Sequence, residues 1–218
     1  MSSGFAPPAA ACRPRSAAAE ERRTVPRRVA IIQGHPDPAG GHFGHALADA
    51  YAEGAQAAGH AVERIEVARL DFPLLRTQAE FEAGAPPAAI RAAQETLRRA
   101  EHWVLLYPLW LGAMPALLKG FLEQVCRPGF AFRDAGHGLP EKLMKGRSAR
   151  IVVTMGMPAL AYRWWFGAYS LRSLERNILG FIGIRPIRET LIGGVGSLGA
   201  ARAEAWLGRL RALGRNAA

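Results

Sequence analysis

The chain has 218 residues, 50% hydrophobic and 21% charged, which is enough to bury a substantial core as a single soluble domain. Apolar runs stay short of the roughly 18 residues a membrane span needs, and the longest candidate, residues 159–184, is broken by Arg163, Arg172, Glu175, Arg176 and Asn177. The net charge of +10 divides into +4 over residues 1–28 and +6 over the rest, with no basic stripe interleaved with aromatics; this argues against a nucleic-acid surface and for a solvated face that favours anionic cofactors.

Residues 1–27 are rich in Ala, Pro, Ser and Arg and poor in large apolar side chains, so a disordered extension is expected there. It has no hydrophobic core of a secretory signal. From residue 28 to 218 a single domain is expected. An apolar strand at 29–32 stops at Gly34, and a helix over 42–58 carries Ala46, Leu47, Ala50, Tyr51 and Gly54 on one stripe. A strand at 62–67 follows, then a long loop at 71–85, then a helix opening at Pro86 or Pro87 with Ile90, Ala93, Leu97 and Ala100 at helical spacing. Next come a strand at 103–107, a helix at 114–125 and an insertion containing Gly129, Gly136, Gly138 and Pro140. A strand at 150–154, an aromatic-rich helical region at 162–179, a strand at 184–192 and a helix at 198–213 complete the chain. Cys12 and Cys126 are too differently placed to suggest a disulfide, which fits a reducing, cytoplasmic setting. His42 and His45 are read as a solvated helix face, and no metal site is expected.

Strand–helix alternation with the runs VAIIQ, WVLLY and RIVVT predicts an α/β, three-layer, doubly wound sheet of five parallel strands, flavodoxin-like, in the order 2-1-3-4-5. Pro186 places the fifth strand at an edge. In such a sheet ligands bind beyond the carboxyl ends of the strands, where the strand order reverses. Three Gly- and Pro-rich segments fall there. In GHPDPAGGHF (34–43), Gly40 and Gly41 turn the backbone just before a helix, and free N–H groups around Gly41 to Gly44 make an anion site to which His35 and His42 can add donors. The alternative is a plain strand–helix turn with two surface histidines.

In PLWLGAMP (108–115), Trp110 and Leu111 can lie against a planar ring, while the backbone from Leu109 to Gly112 can meet its polar edge. A core or interface role for Trp110 is the alternative. In TMGMPALAY (154–162), N–H groups at Gly156 and its neighbours face an oxygen that gains charge on reduction, and Tyr162 can donate to a substrate. The alternative for Tyr162 is packing with Trp164, Trp165, Phe166 and Tyr169 in a core or a dimer interface.

YPLWLGAMPALLKGFLEQV (107–125) resembles the NAD(P)H quinone dehydrogenase family, the DT-diaphorase-like proteins of flavodoxin-like fold, in which a (Y/F)P-aromatic loop runs into MPA-hydrophobic-LKG. GFAF (129–132), KLMKGRSARIVVTMG (142–156) and GHPDPAGGHFGHAL (34–47) resemble further segments of that family, so the likeness covers about residues 28–213. The resemblance implies a flavin, FMN or FAD, with its phosphate near His35, His42, Phe43 and Gly44. Its ring would lie on Pro108, Leu109, Trp110, Leu111 and Gly112, and its N1 and O2 side toward Thr154, Met155 and Gly156. It also implies a homodimer, hydride from NADH or NADPH, ping-pong transfer to a quinone, and Tyr162 as the proton donor. Relatives that carry a Ser or Thr hydroxyl in the first loop differ from this chain, which has Gly40, Gly41 and His42 there. Two other classes fit less well: a flavodoxin-like electron carrier, and a regulatory subunit of a membrane transporter, with the peripheral membrane association that implies.

Overall fold

The computed structural model describes residues 25–133, 135, 136 and 138–218. The extension expected over 1–27 lies outside the described residues as far as residue 24, and residues 25–27 lead, exposed, into the first strand.

Five parallel strands form the sheet: β1 (Arg28–Gln33), β2 (Ala61–Glu66), β3 (His102–Pro108), β6 (Ser148–Thr154) and β7 (Ile187–Ile192), in the order β2-β1-β3-β6-β7. This is the expected 2-1-3-4-5 order, with a short antiparallel pair, β4 (Phe132–Arg133) and β5 (Glu141–Lys142), inside the insertion. Strand side chains alternate between two cores. Ala30, Ile32, Trp103, Leu105 and Tyr107 enter one, and Val29, Ile31, Val104 and Leu106 enter the other. Period-two alternation of apolar residues onto two covered faces is why these strands read as unbroken hydrophobic runs.

Helices α3 (Ala88–Arg99) and α4 (Ala116–Val125) cover the first face and α1 (Phe43–Ala57) and α7 (Ala200–Arg215) the second. Buried Gln94 locks α3 to α4 by donating to the Val125 carbonyl at 2.9 Å. The α1–α7 seam is tight, because a Cβ at Gly54 would stand 2.0 Å from the Arg211 carbonyl oxygen.

Three expectations are corrected. The loop at 71–85 contains α2 (Gln78–Ala83), started by Thr77, whose hydroxyl accepts the Glu80 N–H at 3.1 Å, and by Glu80, whose carboxylate accepts the Arg76 N–H at 2.8 Å. The aromatic region is not one helix. Wide π-type turns at Ala161–Trp165 and Leu174–Leu179 flank α5 (Tyr169–Ser173), and α6 (Gly180–Ile182) follows. The fifth strand begins at Ile187, after Pro186, and so keeps a full ladder while the proline stays outside it. Among the described residues, no helix is long and apolar enough to cross a membrane.

Candidate functional site

The carboxyl ends of β1, β3 and β6 bring the three selected loops together. The Leu109 N–H donates to the Thr154 carbonyl at 2.7 Å, fixing the second loop on the third. The His35 ring meets the Trp110 ring edge-on at 6.1 Å between centroids, joining the first loop to the second. A site assembled from separate strand ends is what the reversal of strand order produces.

The first loop is built around Gln33, buried at the end of β1. Its side-chain oxygen accepts the His35 N–H at 3.1 Å and its amide donates to the Gly44 carbonyl at 3.0 Å, so one side chain spans the loop. His35 Nδ1 accepts the Asp37 N–H at 3.2 Å, and Asp37 accepts the Ala39 N–H at 2.9 Å. Beyond the left-handed Gly40 and Gly41, α1 opens at His42 with no side-chain cap and no acidic residue in its first turn. Among the described residues the N–H groups of Gly41, His42, Phe43 and Gly44 have no acceptor, and a Cβ at Gly41 or Gly44 would meet nothing within 4 Å. Four free amides at a helix start in open space form an anion cradle.

Three imidazoles rim that cradle. His35 stacks on His42 at 3.9 Å, and His45 lies 5.2 Å from His35. His45 is therefore not on a solvated face as the sequence suggested; its Nδ1 is buried and has no hydrogen-bond partner. His42 donates to the Asp37 carboxylate at 2.7 Å, and this bond, aided by the Ala39 N–H, holds Asp37 below the usual carboxylate range. His35 is held below the ordinary imidazole value, first by burial and then by His42 and His45. An anionic group entering the cradle would relieve this crowding of like charge. The residues present therefore fit a flavin phosphate. Among the described residues, no group of three or more His, Cys, Asp or Glu is placed to hold a metal.

The second loop is a two-residue reversal. The Trp110 and Ala113 backbones bond each other both ways at 2.9 Å, around Leu111 at φ 47° and Gly112 at φ 77°. Two successive left-handed residues are unusual away from glycine, and they leave the Leu111 side chain outside the fold. Leu111 is fully exposed and Trp110 is 51% exposed. Trp110 is thus not a core aromatic; it offers a bare face beside the anion cradle.

The third loop corrects two expectations. Met155 is buried and its N–H is spent on the Ile192 carbonyl at 2.9 Å, extending the β6–β7 ladder, so it cannot serve a ligand. The N–H groups of Gly156 and Met157 have no acceptor among the described residues. Tyr162 is 1% exposed, and its hydroxyl lies 2.9 Å from Ser170 Oγ, which itself donates to the Gly112 carbonyl at 2.6 Å. Since the serine proton is committed to Gly112, Tyr162 must donate to Ser170, and its proton is not offered to an acceptor. Trp164, Trp165, Phe166 and Tyr169, read from sequence as packing in a core or a dimer interface, are 53–85% exposed in the single chain, so they are not core.

Gln33 and Ser170 were not singled out from sequence, Asp37 was weighed there only with His35 for a flavin-free hydrolytic role, and His45 only as a solvated neighbour of His42. His45 carried a signal, since i, i+3 spacing from His42 puts both on one helix side; the other three act through contacts that only the fold creates.

A family model for the flavodoxin-like fold matches residues 27–213. An uncharacterized NAD(P)H oxidoreductase of Haemophilus influenzae is 27% identical over 169 residues, covering 76% of this chain and 83% of that protein. The FMN-dependent NADH:quinone oxidoreductase 2 of Listeria innocua is 30% identical over 150 residues, covering 60% of this chain and 66% of that protein. The solved NAD(P)H:quinone oxidoreductase of Methanothermobacter marburgensis superposes with a TM-score of 0.74 at 26% identity, over 88% of this chain and 97% of that one. The sheet order, the loop cluster and these likenesses lead to one conclusion: the chain belongs to the flavodoxin-like fold family, alongside relatives named as NAD(P)H and NADH:quinone oxidoreductases.

Proposed function

We propose that residues 28–218 form one FMN-binding domain of an NADH-dependent quinone reductase. The observation that carries the reading is one cleft in which a helix start with free amides and three imidazoles abuts an exposed, rigid turn bearing Trp110. A phosphate on Gly41 to Gly44 and a flat ring against Trp110, Leu111 and Gly112 would use groups that the two loops leave unpaired. The relatives named as FMN-dependent NADH:quinone oxidoreductases support FMN over FAD and NADH as donor.

When bound, FMN supplies acceptance of a hydride from NADH and its delivery to a two-electron acceptor. The chain holds and polarises. His35, His42 and His45 would hold the phosphate, and the free Gly156 and Met157 amides would stabilise negative charge gained by the ring on reduction. Pro108 and Thr154, at the paired ends of β3 and β6, would border the ring. Tyr162 acts through Ser170, holding the Gly112 carbonyl and so the turn.

The exposed patch of Leu160, Trp164, Trp165, Phe166 and Tyr169 supports a homodimer that roofs the cleft, because an apolar surface of this kind is rarely left bare on a monomer. A cytoplasmic setting accords with the free, buried Cys126.

Purified protein should carry flavin absorbance that bleaches on anaerobic addition of NADH and returns with a quinone. Initial rates should give parallel double-reciprocal lines as both substrates vary. A colourless protein that takes up no FMN would overturn the reading, and a yellow one that NADH cannot reduce would favour the electron-carrier or transporter-subunit alternative.

A further inference from the structure

The opposite edge of the sheet holds a second polar cavity, of about 380 Å³, at the amino ends of β3, β6 and β7. Arg27, Arg147, Arg185 and Arg188 line it; the lining side-chain carboxylate is Glu101, and Asn216, Ala217 and Ala218, with the terminal carboxyl group, lie on the same wall. Arg27, Arg185 and Arg188 have no side-chain hydrogen bond or ion pair among the described residues. Arg147 is committed to three carbonyl oxygens, those of Arg98, Ala100 and Lys145, at 2.7–3.3 Å, so its charge meets no carboxylate. Glu101 is occupied in part by the Arg28 N–H at 3.1 Å.

The wall behind these cations is also polar. His102 is 2% exposed, its Nδ1 is 2.7 Å from Ser148 Oγ, and its Nε2 is buried with no partner. Neighbouring Arg150 adds a further positive charge behind the wall, its guanidinium donating to the Thr190 hydroxyl and to the backbone oxygen of Ala218, itself a lining residue. Three exposed guanidiniums without an ion-pair partner border the recess, and such groups make short, charge-assisted bonds to a planar or tetrahedral oxyanion. The recess, of about 380 Å³, has room for one compact solute.

We propose that this cavity is a binding site for a compact anion bearing one or two phosphate groups, held by Arg27, Arg185 and Arg188 against a wall of Arg147, Ser148 and His102. It lies across the sheet from the flavin cleft and does not depend on the flavin reading.

Calorimetric titration of the full-length protein with pyrophosphate tests it. The wild type should bind, and Arg185→Ala/Arg188→Ala should weaken binding at least tenfold. Arg202→Ala/Arg209→Ala, which removes the same charge from α7, should stay within twofold. Arg185→Lys/Arg188→Lys, which keeps charge without the guanidinium fork, should fall between, and it stands in should the alanine pair fail to fold. Equal losses in the 185/188 and 202/209 alanine pairs would overturn the proposal. So would absence of pyrophosphate binding, a loss confined to His42→Ala, or binding of RNA or anionic vesicles with no binding of pyrophosphate.

Discussion

Two glycines show how differently this chain treats its seam and its cleft. At Gly54, in the α1–α7 seam, a Cβ would stand 2.0 Å from a backbone carbonyl oxygen, so hydrogen is the only side chain that fits. At Gly112, in the Trp110–Ala113 turn, a Cβ would meet nothing within 4 Å, yet φ is 77°. The first glycine is required by closeness and the second by shape. The seam therefore sets stability, and the turn, braced by Ser170 and left open to solvent, presents groups to a ligand.

Changes in the seam should be felt as stability. Gly54→Ala drives a methyl into backbone that cannot rotate away and should cost about 3 kcal/mol in urea unfolding. FMN affinity of the folded fraction should be unchanged. His102 belongs to the same region, stacked 6.4 Å from Tyr51 of α1. Burial, then Arg150, Arg27, Arg188 and His60, push its imidazole down to about 3. The folded state thus disfavours the protonated form that the unfolded chain accepts near 6.5. Stability is full above that pH and is lost as pH falls toward 3, at up to about 1.4 kcal/mol per pH unit. His102→Asn should flatten this acid limb in thermal unfolding followed across pH; an unchanged slope would remove His102 as its source.

Changes in the cleft should be felt as affinity. Ser170→Ala removes the donor to the Gly112 carbonyl and strands the Tyr162 hydroxyl, and should weaken FMN binding by about 1 kcal/mol, or roughly fivefold. Asp37→Asn frees His42 from its anionic partner. FMN should then bind about twofold more tightly, with the gain shrinking in high salt. Weaker binding would mean that Asp37 shapes the loop more than it competes with the phosphate.

The sheet was legible because three apolar runs, VAIIQ, WVLLY and RIVVT, alternate with helical stretches, while the half-polar edge strands β2 (AVERIE) and β7 (IRETLI) could be read only from their place in that alternation. The cleft was legible in its loops, since GHPDPAGGHF and PLWLGAMP declare turns by their composition. The residues that brace those loops were not. Gln33 looks like the polar end of a strand and acts through Gly44, eleven residues on; Ser170 acts through Gly112, fifty-eight residues away. Tyr162 was visible as a hydroxyl, but only burial and the committed Ser170 proton show where its donor goes. Met155 was assigned a free N–H because the ladder's last rung cannot be read from a single strand. The short helix α2 did carry a signal, the TQAE capping pattern, inside a stretch otherwise typical of a loop.

The central claim, that a flat flavin ring rests against the 110–113 turn, is tested most directly by titrating the flavin-stripped full-length protein with FMN and following fluorescence quenching. One FMN should bind per chain, and Trp110→Ala, which removes a half-exposed ring without opening the core, should weaken binding about tenfold, the upper range of an aromatic stacking contact. No binding by the wild type, or equal binding by wild type and Trp110→Ala, would contradict the account.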